Sequence, residues 1–141
     1  MVVYKITDRI PLKIGDATFW VAPLSWADRS ELLSCYQTKS GEETHEPLKI
    51  GMLTLKMSIK EVDGVQYSDG TEFGCELDDR GRLTDDCVSE LCQLDCVDKL
   101  VTVCSKLAMN GPAKMDLDGV EINFSNVKSA KKKQSALTVA S

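Results

Sequence analysis

The sequence predicts an α+β fold: a mostly helical single domain with a small N-terminal β-hairpin. Three observations carry this reading. Short β-rich segments at 2–6, 9–14 and 17–21 surround the turn pair Gly15-Asp16. After Pro23, apolar residues recur at helical steps in four stretches. The chain has 141 residues, one domain's worth, enough to bury about two thirds of its unfolded surface. The expected division is a domain over 1–127 and a flexible basic tail over 128–141, in which every charge is a lysine.

The elements follow in order. Ala17-Thr18-Phe19-Trp20-Val21 is the second hairpin strand, closed by Pro23. Ser25 has the features of an N-cap, with Asp28 three residues on. The helix it opens runs to about Gln37, and Trp26, Arg29, Leu32, Leu33 and Tyr36 mark its expected core face. Residues 38–46 are polar and form a loop. Pro47 suits the first turn of a second helix, whose residues Leu48, Met52, Leu55 and Ile59 share a face. Ile50, Leu53 and Met57 widen that face around much of the helix. Gly51, inside the helix, costs about 1 kcal/mol relative to Ala, and a packing reason is expected for it.

Residues 62–82 change character. The pairs Asp63-Gly64 and Asp69-Gly70 predict a small hairpin or ordered loop excursion. Thr84 caps a third helix over about 84–93, and a fourth spans about 96–109 after a tight bend, ending at Gly111-Pro112. Val120 to Phe124 alternates as a strand that either joins the hairpin or pairs alone.

Charge and cysteine content narrow the function. The net charge of −5 divides into −9 over residues 1–127 and +4 in the tail. Residues 61–98 hold twelve acids against Arg80 and Arg82. An acidic body disfavours a phosphate backbone, so no nucleic acid is expected as partner. No run of about 18 apolar residues exists and the N-terminus lacks a signal-peptide pattern, so neither a membrane nor secretion is expected. The six cysteines contain no C-x-x-C pair and match no zinc spacing. They read chiefly as small core residues, with metal binding and redox sensing as the alternatives; Cys92 and Cys96 are expected to share a helix face. His45 is the single histidine and sits in the polar loop. Asp116-x-Asp118 fails as a calcium loop, because Glu121 stands where glycine is required. No phosphate loop and no nucleophile elbow occur. The expectation is a non-enzymatic protein with no catalytic residues, metal or cofactor.

One arrangement resembles a known family. A hairpin runs directly into a helix through Ala22-Pro23-Leu24-Ser25-Trp26-Ala27-Asp28-Arg29, in which Leu24, Ser25 and Arg29 match the family's strand–Leu-Ser-x-x-x-Arg–helix segment. A polar loop, a very apolar helix, acidic helices and a lysine-containing tail follow. This layout resembles the tail assembly chaperones of long-tailed bacteriophages, while the excursion at 62–82 matches no part of the pattern. The resemblance implies a protein of the host cell cytoplasm that binds the helical tape measure protein and keeps it soluble until tail tube subunits polymerise around it. It also implies a −1 ribosomal frameshift near the C-terminus, the extension recruiting tube subunits; Lys131-Lys132-Lys133 can be encoded by an A-rich slippery run.

A client of this kind exposes apolar stripes that a helix-binding groove would cover. The candidate client-binding face is Leu48, Met52, Leu53, Met57 and Ile59, residues that otherwise simply fill the core. Two other readings stay open. One is a virion structural protein of the tail or neck that forms homo-oligomeric rings. The other is a small host-directed protein whose acidic 61–98 stretch engages a basic partner.

Overall fold

The computed structural model describes residues 3–36, 47–110, 121–122 and 127–129. Strands β1 (Asp8–Ile14) and β2 (Ala17–Val21) form the expected hairpin around Gly15-Asp16. Helices α1 (Trp26–Tyr36) and α2 (Pro47–Ser58) follow, then strand β3 (Ile59–Asp63). Helices α3 (Asp85–Leu91) and α4 (Val97–Asn110) complete the helical layer. Two short strands, β4 (Glu121–Ile122) and β5 (Lys128–Ser129), return to the sheet.

The expectation of a mostly helical domain with only a small hairpin is corrected here. The hairpin is the middle of a five-stranded antiparallel sheet, ordered β3-β2-β1-β4, with β5 also on β1. The fold is mixed α+β. One strand that was not anticipated is β3, and its camouflage has a physical cause. The register with β2 shifts between Trp20 and Val21, so that Lys60 is an extra residue between Ile59 and Glu61. This bulge turns both Ile59 and Val62 inward, three residues apart, a helical spacing. Ile59 also continues the apolar rhythm of α2 without a break.

β4 and β5 both pair antiparallel with β1. β5 pairs with Asp8 and Arg9, and β4 with Leu12 and Lys13. Lys128 and Ser129, expected to begin the tail, are thus part of the sheet. Lys128 is latched on its outer face, 3.9 Å above the Trp20 ring and 3.0 Å from Glu61. The Trp20 indole N–H donates to Asp63 at 2.8 Å. At the other end, residues 3–7 form no strand. Asp8 closes a turn there, its carboxylate accepting from the Lys5 N–H.

The inner face of the sheet supplies Ile10, Leu12, Phe19, Val21, Ile59 and Val62 to the core. Leu55 of α2, Cys87, Val88 and Leu91 of α3, and Leu100, Val103 and Cys104 of α4 close over them. Gly51 finds its reason: a Cβ there would stand 3.2 Å from Val101 Cγ1, so the bare backbone lets α2 and α4 pack closely. The excursion after β3 makes two small loops, bridged at Gln66–Glu72 and Leu77–Leu83, and tucks Phe73 and Leu83 into the core. Its tips are built by their own acids. Asp69 accepts from the Thr71 N–H and hydroxyl, and Asp78 from the Arg80 and Arg82 N–H groups. These bonds hold both carboxyls below the usual range.

The excursion starts at Gly64, whose φ is +83° and whose Cβ would lie 2.3 Å from the Asp16 carbonyl oxygen. Gly70 has a similar φ of +88° in open space. Gly64→Ala is therefore expected to cost about 3 kcal/mol, adding a backbone clash to the left-handed strain, and Gly70→Ala about 1 kcal/mol. Urea denaturation of the two variants checks the difference; equal losses would refute the clash.

Candidate protein-binding groove

Helix α2 passes into β3 with no loop between Ser58 and Ile59. Its end carbonyls, which a helix leaves unpaired, find partners at once. Ser58 O accepts from Ala22 N–H and Lys56 O from Leu83 N–H, at 2.9 and 3.0 Å. The buried Thr54 hydroxyl donates to Ile50 O at 2.8 Å, so it is satisfied within the helix. With one side of α2 committed to the core, Lys49, Met52, Leu53 and Lys56 are left on its flank.

Helix α3 runs alongside. Thr84 caps it as the sequence predicts, its Oγ1 accepting from the Cys87 N–H. Asp85 and Ser89 stand beside Val88 and Cys92 on the flank facing α2. Together with Ile50, and with Cys35 at the end of α1, these residues line an open groove of about 730 Å3. Its floor is apolar and sulfur-rich: the Cys92 thiol donates to the Met52 thioether at 3.0 Å. Its rim carries Lys49 and the Lys56–Asp85 ion pair. That volume and lining are typical of sites that take up apolar groups.

The structure divides the predicted client-binding face. Met52 and Leu53 line the groove, half-buried. Met57 and Ile59 are 1% and 0% exposed and belong to the core, the role that competes with binding for any apolar helix residue. Ile59 is not even helical. The Leu48 side chain, the polar loop with His45, and Lys131 to Lys133 lie outside the described residues. The α3 wall was not anticipated, although Val88 and Cys92 stand four apart in the sequence. Among the described cysteines, Cys87 and Cys104 fill the core as expected, whereas Cys35 and Cys92 are exposed. Cys92 and Cys96 share no helix face, because α3 ends at Leu91 and α4 begins at Val97. Burial pushes the Cys104 and Cys75 thiols up to about 12.

The α1 wall is held by two unlike contacts. Leu32, 0% exposed, packs with Ile50, Met57 and Ala108. The second contact is an ion cluster that sequence reading missed. Arg82, 5% exposed, reaches from the excursion to Asp28 at 2.5 Å and to both Glu31 oxygens at 3.1 and 3.2 Å. Arg80 adds a longer contact to Glu31 at 3.4 Å. Asp28 and Glu31 are three apart on the helix and so present one face to one guanidinium. Only the acid spacing and the lone basic pair Arg80/Arg82 hinted at this. The expected core face of α1 is corrected accordingly: Trp26 is 84% and Leu33 39% exposed. Trp26 is the first helical residue and projects from the end of α1, whereas Leu32 meets α2.

Removing the guanidinium leaves two facing carboxylates. Arg82→Met is expected to cost about 3 kcal/mol, with Arg82→Lys recovering part, since an ammonium cannot span both acids. The Arg82 hydrogen bond holds the Glu31 carboxyl below its ordinary 4.5. A depressed carboxylate pKa stabilises the fold above that value, and the gain fades as pH falls through the lower folded-state value. Denaturation midpoints of Glu31→Gln and wild type should therefore differ at pH 7 and converge in acid below about pH 4.5. A gap that stays constant would count against the ion pair.

No family model matches the chain, and no curated protein or solved structure matches it either.

Proposed function

We propose that this chain is a tail assembly chaperone of the phage type, which covers apolar stretches of the helical tape measure protein until tail tube subunits enclose it. The observation that carries the reading is the open apolar groove between α2 and α3, floored by Ile50, Met52, Leu53 and Val88. A groove between two helices suits an amphipathic helix laid along it, read through residues at i, i+3 or i+4, and i+7. The twelve-residue α2 is about 18 Å long, which matches about three turns of client helix. Met52 contributes an adaptable thioether, useful to a protein that must accept several similar stripes along one long client. The acidic exterior supports the same reading, since like-charged coated complexes repel one another.

The layout resemblance through Leu24, Ser25 and Arg29 adds to this, and so does α1 following the hairpin directly. In this reading the protein acts in the host cytoplasm without catalysis, cofactor, membrane or nucleic acid. Among the described residues no helix is long and apolar enough to cross a membrane.

Co-expression with the tape measure product of the same tail gene cluster tests the proposal. Wild-type chain should move most of that product from the pellet to the soluble fraction. Leu53→Lys and Met52→Lys should each lower the soluble yield about tenfold, and Leu77→Lys, on an exposed site away from the groove, should not. A client that stays insoluble with wild-type chain present sinks the proposal.

A further inference from the structure

We propose that β5 is a strap that opens and closes on the folded sheet, with the Lys128 side chain as its clasp and ionic strength as its control. The proposal owes nothing to the α2–α3 groove.

β5 is two residues long and pairs with Asp8 and Arg9 of β1. So short a ladder holds a strand weakly. Val127 packs against the core and fixes the near end. The rest of the hold comes from one side chain. Lys128 crosses β1 on the outer face, sets its ammonium 3.9 Å above the Trp20 ring on β2, and ends 3.0 Å from Glu61 on β3. The Lys128 and Glu61 side chains each keep 32% of their surface exposed, so dissolved ions screen the pair. Both of its contacts are of the kind that is weak in reach of water.

The clasp also works against a like charge. The register places Lys128 directly opposite Arg9, so two cations meet across the ladder on one side of the sheet. Glu61 serves both. It supports the charge of the Arg9 guanidinium, which burial disfavours, and it pairs with Lys128. When Lys128 lets go, Glu61 keeps Arg9 as its counter-ion and the repulsion between the cations is relieved. The Trp20 indole stays in place, because its N–H donates to Asp63 at 2.8 Å. The seat is therefore formed with or without its occupant, and opening strands no charge. Closed, the strap covers the Trp20 ring and pairs the Asp8–Arg9 end of β1. Open, it bares an aromatic face and a short strand edge, the kind of edge that another chain can pair with.

Proton NMR on the full chain tests this. In the closed state the Lys128 ε-methylene protons lie over the indole and resonate upfield of an ordinary lysine. Raising salt from about 0.05 to 1 M should remove roughly half or more of that shift, while the methyl signals of the core residues Leu12 and Val62 stay fixed. Glu61→Gln should lose the shift already at low salt. Arg9→Met, which takes away the opposing cation, should hold it to higher salt than wild type, an effect that a merely structural role for Arg9 would not produce. Arg9→Gln serves in its place if Arg9→Met disturbs the core methyls. A wild type without the shift at low salt overturns the proposal. So does a shift that salt leaves unchanged or removes only as the core methyls move, or an Arg9 variant whose strap opens more readily than wild type.

Discussion

The loop-free joint between α2 and β3 is the constraint on which the rest of the structure depends. At Ser58 the chain stops being helix and at Ile59 it is already strand, so the helix direction is locked to the sheet. The carbonyls freed at that point accept from Ala22, at the end of β2, and from Leu83, at the end of the excursion. Three distant parts of the chain therefore meet where one helix ends. The inner residues of α2 are carried into the core, and its flank is turned toward α3. The groove is a by-product of that orientation, not of any residue devoted to it.

Much of this was legible in the sequence. The hairpin, the Ser25 and Thr84 caps, Pro47 at the head of α2 and the bend before α4 are local signals with local causes, and the structure keeps them. What was not legible depends on partners far apart in sequence. β3 hides because its bulge borrows a helical spacing. β4 falls inside the strand expected over 120–124 and joins the hairpin, whereas β5 hides because two residues at the head of a lysine-rich stretch are too few to show alternation. The same limit applies to the site. Periodicity groups Met52 and Leu53 with Met57 and Ile59, but only packing tells which of them face a neighbour.

The acidic stretch changes meaning once its contacts are known. Asp69 and Asp78 shape the loops that carry them, Asp85 pairs with Lys56, and Glu90 accepts from the Tyr67 hydroxyl. Part of the negative charge is thus occupied in holding the excursion together, and the buried Arg82 ties that excursion to α1. The excursion is what braces the first helix. Burying a guanidinium is costly unless it keeps an ionised partner, so protonating Glu31 weakens the brace.

Gly51 has a reach beyond its own contact. It sits on the opposite side of α2 from the groove and touches Val101 of α4. A methyl at that position would stand 3.2 Å from Val101 Cγ1, so either that side chain or the spacing of α2 and α4 must give by a few tenths of an ångström. The spacing of the groove walls is therefore governed from behind, by an atom that is missing from a residue no occupant would ever touch. A lineage that altered this glycine would retune what the groove accepts without changing a single residue of its lining.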